Sequence, residues 1–177
     1  MSVHVQVIHK GERVKWPIEK IAKAIGAIAP GLILERVDAG LDTRDKPFAA
    51  YSPNYSKALA LANEDPKRDL RLTGGLMNSV KTRRIIRRAD GVVTVVIAPD
   101  AGTSPRVRLA PPWVVNDPEA ASAWKRANPG APKTGKRGPA HNVVGAWLHY
   151  GTPTMRARPW LGLSPQDVRD LRRMLGL

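Results

Sequence analysis

The sequence predicts an α+β fold, with N-terminal helices and a C-terminal helix packed on a small mixed or antiparallel sheet. Three observations predict it. Ile18, Ile21, Ile25, Ile28 and Leu32 recur at alternating spacings of three and four, the stripe of an amphipathic helix. Val92 to Ile97 is β-branched throughout, as in a strand covered on both faces. The chain then closes on a capped helix. Ser164, Pro165 and Asp167 stand at its cap, first and third positions, ahead of the stripe Val168, Leu171 and Leu175.

The first element is a short half-buried strand, in which Val3, Val5 and Val7 alternate with polar residues. Pro17 fits the first turn of the helix that follows, where its missing N–H costs nothing. Pro30-Gly31 interrupts that helix, and the shifted stripe Leu34, Val37 and Leu41 predicts a kink or a second short helix. From Asp42 to Pro66 the chain is polar and punctuated by proline, apart from a helical stretch at Tyr55 to Ala62. A turn at Thr73-Gly74-Gly75 leads into a hairpin with arms Val80 to Arg88 and Val92 to Ile97, joined at Asp90-Gly91. A sheet of about four strands is expected. Pro99 to Asn142 holds eight of the sixteen prolines and reads as a long basic loop or arm, with a short helix at Pro118 to Arg126. In the last helix, Arg172 and Arg173 sit near the negative end of the dipole.

A chain of 177 residues with 42% apolar content suits one domain spanning 1–177 with a genuine core. Its 29 Lys and Arg against 15 Asp and Glu leave a net charge of +14. Such a field favours a polyanion: nucleic acid, an anionic membrane face or an acidic protein surface. Cysteine is absent, which excludes disulfides, thiol catalysis and Cys-based zinc sites. No apolar run approaches the ~18 residues of a membrane span, and the N-terminus does not read as a signal peptide.

Residues that could carry chemistry are few. Gly130 to Lys136 reproduces the spacing of a phosphate loop, but Arg137 replaces the Ser or Thr that would hold magnesium. Gly138-Pro139 follows where a helix should begin, so no nucleotide cofactor is expected. Neither His141 nor His149 has an acidic neighbour in sequence, and His149 lies in the apolar run Val143 to Tyr150, as a packed histidine would. Ser52, Ser56 and Ser79 lack a nucleophile-elbow context, so an enzyme is not expected. The basic residues are the stronger feature. From Lys67 to Arg88 there are eight cations and one acid, with no aromatic residue to stack a base. Lys81, Arg83, Arg84, Arg87 and Arg88 lie on one predicted strand, which borders solvent or a polyanion. Lys125, Arg126, Lys133, Lys136 and Arg137 lie in the proline-rich segment, the candidate for reaching a neighbouring subunit.

Three patterns, in order, resemble the tailed-phage virion-morphogenesis or tail-completion family. Asp45-Lys-Pro-Phe-Ala-Ala-Tyr-Ser-Pro-Asn-Tyr55 resembles its loop G-x-P-W/F-x-P-L-S-x-x-Y, with Asp45 in place of Gly. Arg71-Leu-Thr-Gly-Gly-Leu-Met-Asn-Ser79 resembles its turn L-x-x-T-G-x-L-x-x-S. His149-Tyr-Gly-Thr and Met155-Arg-Ala-Arg-Pro-Trp-Leu-Gly-Leu-Ser164 resemble its ending H-x-G … A-R-P-F/W-L-G-L-S. The patterns span roughly residues 17 to 177, and the proline-rich segment is longer than the family's connection. The resemblance implies a hexameric ring at the head–tail junction of a virion. Its neighbours would be a head–tail connector and a tail-terminator or tail-tube protein, with duplex DNA passing through and no membrane involved. Trp160 and Leu161 are then structural anchors, and Arg158 lies at a domain or subunit boundary. The alternative is a nucleic-acid-binding protein without sequence preference.

Overall fold

The computed structural model describes residues 2–7, 17–61, 75–89, 92–107, 110–127, 133–153 and 155–177. Strand β1 (Val3–Val7) is followed by helix α1 (Ile18–Asp38), α2 (Pro53–Leu61) and α3 (Gly75–Asn78). Strands β2 (Lys81–Arg87), β3 (Val93–Ala98) and β4 (Thr103–Val107) come next, then α4 (Pro112–Val115), α5 (Pro118–Ala127), β5 (Lys133–Ala140), α6 (His141–Tyr150) and α7 (Pro165–Leu175). The α+β class is as expected. The turns at Thr73-Gly74 and Asp90-Gly91 lie outside the described residues.

The main sheet has three antiparallel strands in the order β1-β3-β2, and β4 with β5 forms a separate two-stranded ribbon. Strand β3 is central because its β-branched residues fill one face completely. Val93, Val95 and Ile97 are all at or below 1% exposed. They face α1, whose buried side is Ile21, Ala22, Ile25, Gly26, Ala29, Ile33, Arg36 and Val37. Phe48, Leu76, Met77, Trp160, Leu161 and Leu171 close this core.

Pro30 does not divide α1, which runs unbroken for 21 residues. The expectation of a kink or a second short helix rested on the hydrogen bond a proline cannot give to the carbonyl four residues back, here that of Gly26; a separate second helix is not what the chain forms. Thr82 of β2 supplies it, its hydroxyl donating to the Gly26 carbonyl at 2.6 Å. The approach is tight. A Cβ at position 26 would lie 3.2 Å from Thr82 Cγ2, so glycine lets helix and strand meet.

The proline-rich segment is likewise not a structureless arm. It folds as β4, α4, α5 and β5, and α4 packs on α2 around a second core of Ala58, Ala110, Val114 and Val115, with Leu61, Ala120 and Trp124 against it. Its prolines punctuate short elements: Pro112 and Pro118 each open a helix, where a missing N–H goes unnoticed.

Candidate functional site

Strand β2 brings the basic residues to the edge of the main sheet, and its register sorts them. Thr82 pairs with Ile97, Ile85 with Val95 and Arg87 with Val93, so these three share the face turned toward α1. Lys81 pairs with Ala98, Arg84 with Val96 and Ile86 with Thr94, on the opposite face. A bulge between Thr82 and Arg84 makes this division possible. Strict alternation would place Arg84 toward α1; the extra residue turns it outward and leaves Arg83 unpaired in the ladder.

The cations therefore have different surroundings. Arg83 folds back along the strand, donating from Nε to the Ala98 carbonyl at 3.2 Å and from Nη2 to the Ser79 carbonyl at 3.0 Å. Arg87 meets Glu19 of α1 at 2.6 Å, both partly solvated. Arg88 lies just past the strand, its backbone N–H bonded to Val92. The side chains of Lys81 and Arg84 are exposed and have no hydrogen-bond or ion-pair partner among the described residues. Across the sheet, His4 occupies the same row as Val96 and Arg84.

The ending Met155 to Ser164 forms a clasp. Trp160 is fully buried, its indole N–H donating to the Gly145 carbonyl at 3.1 Å, and Leu161 is 4% exposed. Both side chains lie within the core. Arg36 binds the strap from α1. Its Nε meets Asp167 Oδ2 at 2.8 Å, its Nη2 donates to the carbonyls of Trp160 (3.0 Å) and Gly162 (2.6 Å), and its Nη1 donates to Leu41 (3.1 Å). Asp167 at once completes the capping box of α7, accepting from the Ser164 N–H at 2.8 Å. Gly151 has φ +80, and a Cβ there would fall 2.8 Å from the Ala157 nitrogen, so the bend after His149 requires glycine. At the loop position where Asp45 stands, φ is +58, a conformation that Asp tolerates better than most residues.

Arg158 is buried rather than poised at a boundary. It donates to the carbonyls of Ala49 (3.2 Å) and Ala50 (3.4 Å) and stacks over the Tyr51 ring at 4.4 Å, with no carboxylate beside it among the described residues. It ties the clasp to the 45–55 loop. Burial beside it pushes the Tyr55 phenol up, partly countered by the Arg158 charge.

Lys125 and Arg126 are exposed on the last turn of α5. Lys133, Lys136 and Arg137 lie on β5, where Lys133 pairs with Val107 and Arg137 with Pro105. Lys136 thus belongs to an extended strand and not to a loop wrapping a phosphate; Gly130 lies outside the described residues.

Two histidines have partners the sequence did not show. His141 Nδ1 lies 2.8 Å from Asp100, which also accepts the Gly102 N–H. That hydrogen bond to His141 is the main reason the Asp100 carboxyl titrates below its usual range. Only the fold brings these residues together, 41 positions apart. His149 accepts the Leu161 N–H at Nδ1 (3.3 Å), and its burial depresses its pKa, so it is a packed neutral ring. Among the described residues no three His, Asp or Glu gather to hold a metal, and no helix is long and apolar enough to cross a membrane.

Comparison with protein-family models, curated proteins and solved structures finds no match.

Proposed function

We propose that this chain is a structural protein of a tailed-phage virion, a ring-forming tail-completion or neck subunit that joins head to tail around the DNA channel. The supporting observation is where the residues of the resemblance lie. Trp160, Leu161, Ser164 and Gly151 are spent on burial, capping and a tight bend, and Arg158 on binding one loop to another. A motif whose members hold a chain together suits a subunit whose work is assembly. The proposed ring is a hexamer closed by heterologous contacts, seated between a connector and a tail-terminator or tail-tube protein. The segment 99–142 is the part proposed to reach a neighbouring copy, with Lys125 and Arg126 on α5 and Lys133, Lys136 and Arg137 on β5.

The test is placement. Electron microscopy of particles carrying a labelled chain should put the label on the axis at the head–tail junction, and the purified chain should form closed rings. Label on the capsid shell, or a chain monomeric at every concentration, would overturn the reading. The second reading, nucleic-acid binding without sequence preference and without a ring, draws on the exposure of β2. It predicts salt-sensitive duplex binding by the monomer.

A further inference from the structure

We infer that the sheet face opposite α1 is a docking surface for the phosphate backbone of duplex DNA, charged by Lys81 and Arg84 and not by Arg83 or Arg87. This deepens the nucleic-acid part of the proposed function and rests on it. The strand carries its cations in two kinds of setting. Arg83 is bonded to two carbonyls, and the charge of Arg87 is opposed by Glu19 on the helix side of the sheet. Lys81 and Arg84 stand on the other face without partners among the described residues. The bulge puts Arg84 there. Bulges commonly re-aim a side chain near functional sites, and this one moves a guanidinium from a helix-facing position to an open one.

The surface around them suits a broad, stiff polyanion. Its central column, Ala98, Val96 and Thr94, is small and partly to fully buried, with Thr94 at 6%, so the exposed groups on this face are those of the edge strand, Lys81, Arg84 and Ile86. The three strands contain no carboxylate and no large aromatic side chain. The first absence leaves the positive charge unopposed within the sheet. The second removes the platforms on which single-stranded bases stack and the rings that anchor a protein in a lipid interface. Ile86 is the one large apolar side chain the register adds to this face, too little for insertion into a bilayer. What remains is contact with backbone phosphates, which positions a duplex without reading it.

Two double variants of the full chain with equal loss of charge separate the possibilities. Each phosphate contact contributes about 0.9 to the slope of log K against log salt on duplex DNA. Lys81→Gln/Arg84→Gln should therefore lower that slope by about 2, measured by anisotropy on labelled duplexes of several sequences, with the same loss on each. Arg83→Gln/Arg87→Gln should leave the slope within error of the parent chain. Equal losses in both variants would mean that diffuse net charge is responsible and would overturn the surface. So would a parent chain that binds phosphatidylserine vesicles or polyglutamate but no duplex. Circular dichroism checks that both variants fold. Light scattering reports ring formation separately, so a slope difference without rings supports the surface while counting against the neck subunit.

Discussion

At the residue scale, the charged groups that matter most to the fold are those with the least contact with water. Arg36 and Asp167 form a buried ion pair whose remaining hydrogen-bonding capacity is largely met by backbone. Removing one member of such a pair strands the other, at about 3–5 kcal/mol. Arg36→Met should therefore lower the denaturation midpoint sharply, whereas Arg87→Gln, which breaks the solvated pair with Glu19, should change stability by less than about 1 kcal/mol. His149 provides a pH signature. Its burial favours the neutral ring in the folded chain, so the unfolded chain takes up a proton first as pH falls. The stability it contributes is complete above the ordinary value of 6.5 and is lost as pH drops below it. Thermal melts from about pH 7.5 to pH 5.5 should show this loss, and His149→Asn, which keeps an acceptor near Nδ1, should flatten it. An unchanged slope in that variant would assign the pH dependence to other groups.

At the scale of elements, the sequence was legible wherever one element's own pattern decides its state. The capping box of α7, the β-branched run of β3, the helix at Pro118 and the strand at Val3 were all readable from a few adjacent residues. Local pattern is silent where a distant partner decides. Eight prolines made 99–142 look like a loop, yet a second core shared with α2 orders part of it, and that contact leaves no local signal. Arg36 was invisible for the same reason: on a helix stripe it reads as a solvated cation until the strap from Trp160 to Asp167 is laid over it. The basic strand was found, but not the division of its cations. A bulge depends on a register that no single strand encodes.

At the scale of the molecule, the clasp joins the core to the 45–55 loop through two residues with separable roles. Trp160 is enclosed by both the sheet core and α6, and truncating a buried tryptophan costs about 3–5 kcal/mol, a large part of a small domain's stability. Trp160→Ala should yield little soluble protein and, if the proposed neck role holds, particles whose heads and tails do not join. Normal folding of that variant, with infectious particles, would remove the main support for the neck subunit. Arg158→Gln should loosen the 45–55 loop without unfolding the sheet, since its bonds run to that loop and not to the core. Proteolysis near Tyr51 is the measurement that distinguishes the two variants.

The hydroxyl of Thr82 reaching the carbonyl beneath Pro30 has a consequence for the order in which the chain acquires structure. A peptide covering only α1 has nothing to offer the Gly26 carbonyl except water, so it should bend or fray near its middle, and its two halves should melt independently. Docked on β2, the same segment is one continuous helix. The continuity of the longest helix is thus a property of the completed sheet, and the two should be gained and lost in one cooperative step. Thr82→Val keeps the shape and removes the donor, leaving a carbonyl unsatisfied at about 1–3 kcal/mol. Hydrogen exchange would show the uncoupling directly: amides of α1 beyond Pro30 should exchange with β2 in the parent chain and ahead of it in the variant. Amides that keep pace with β2 in both would mean that packing alone holds the helix together.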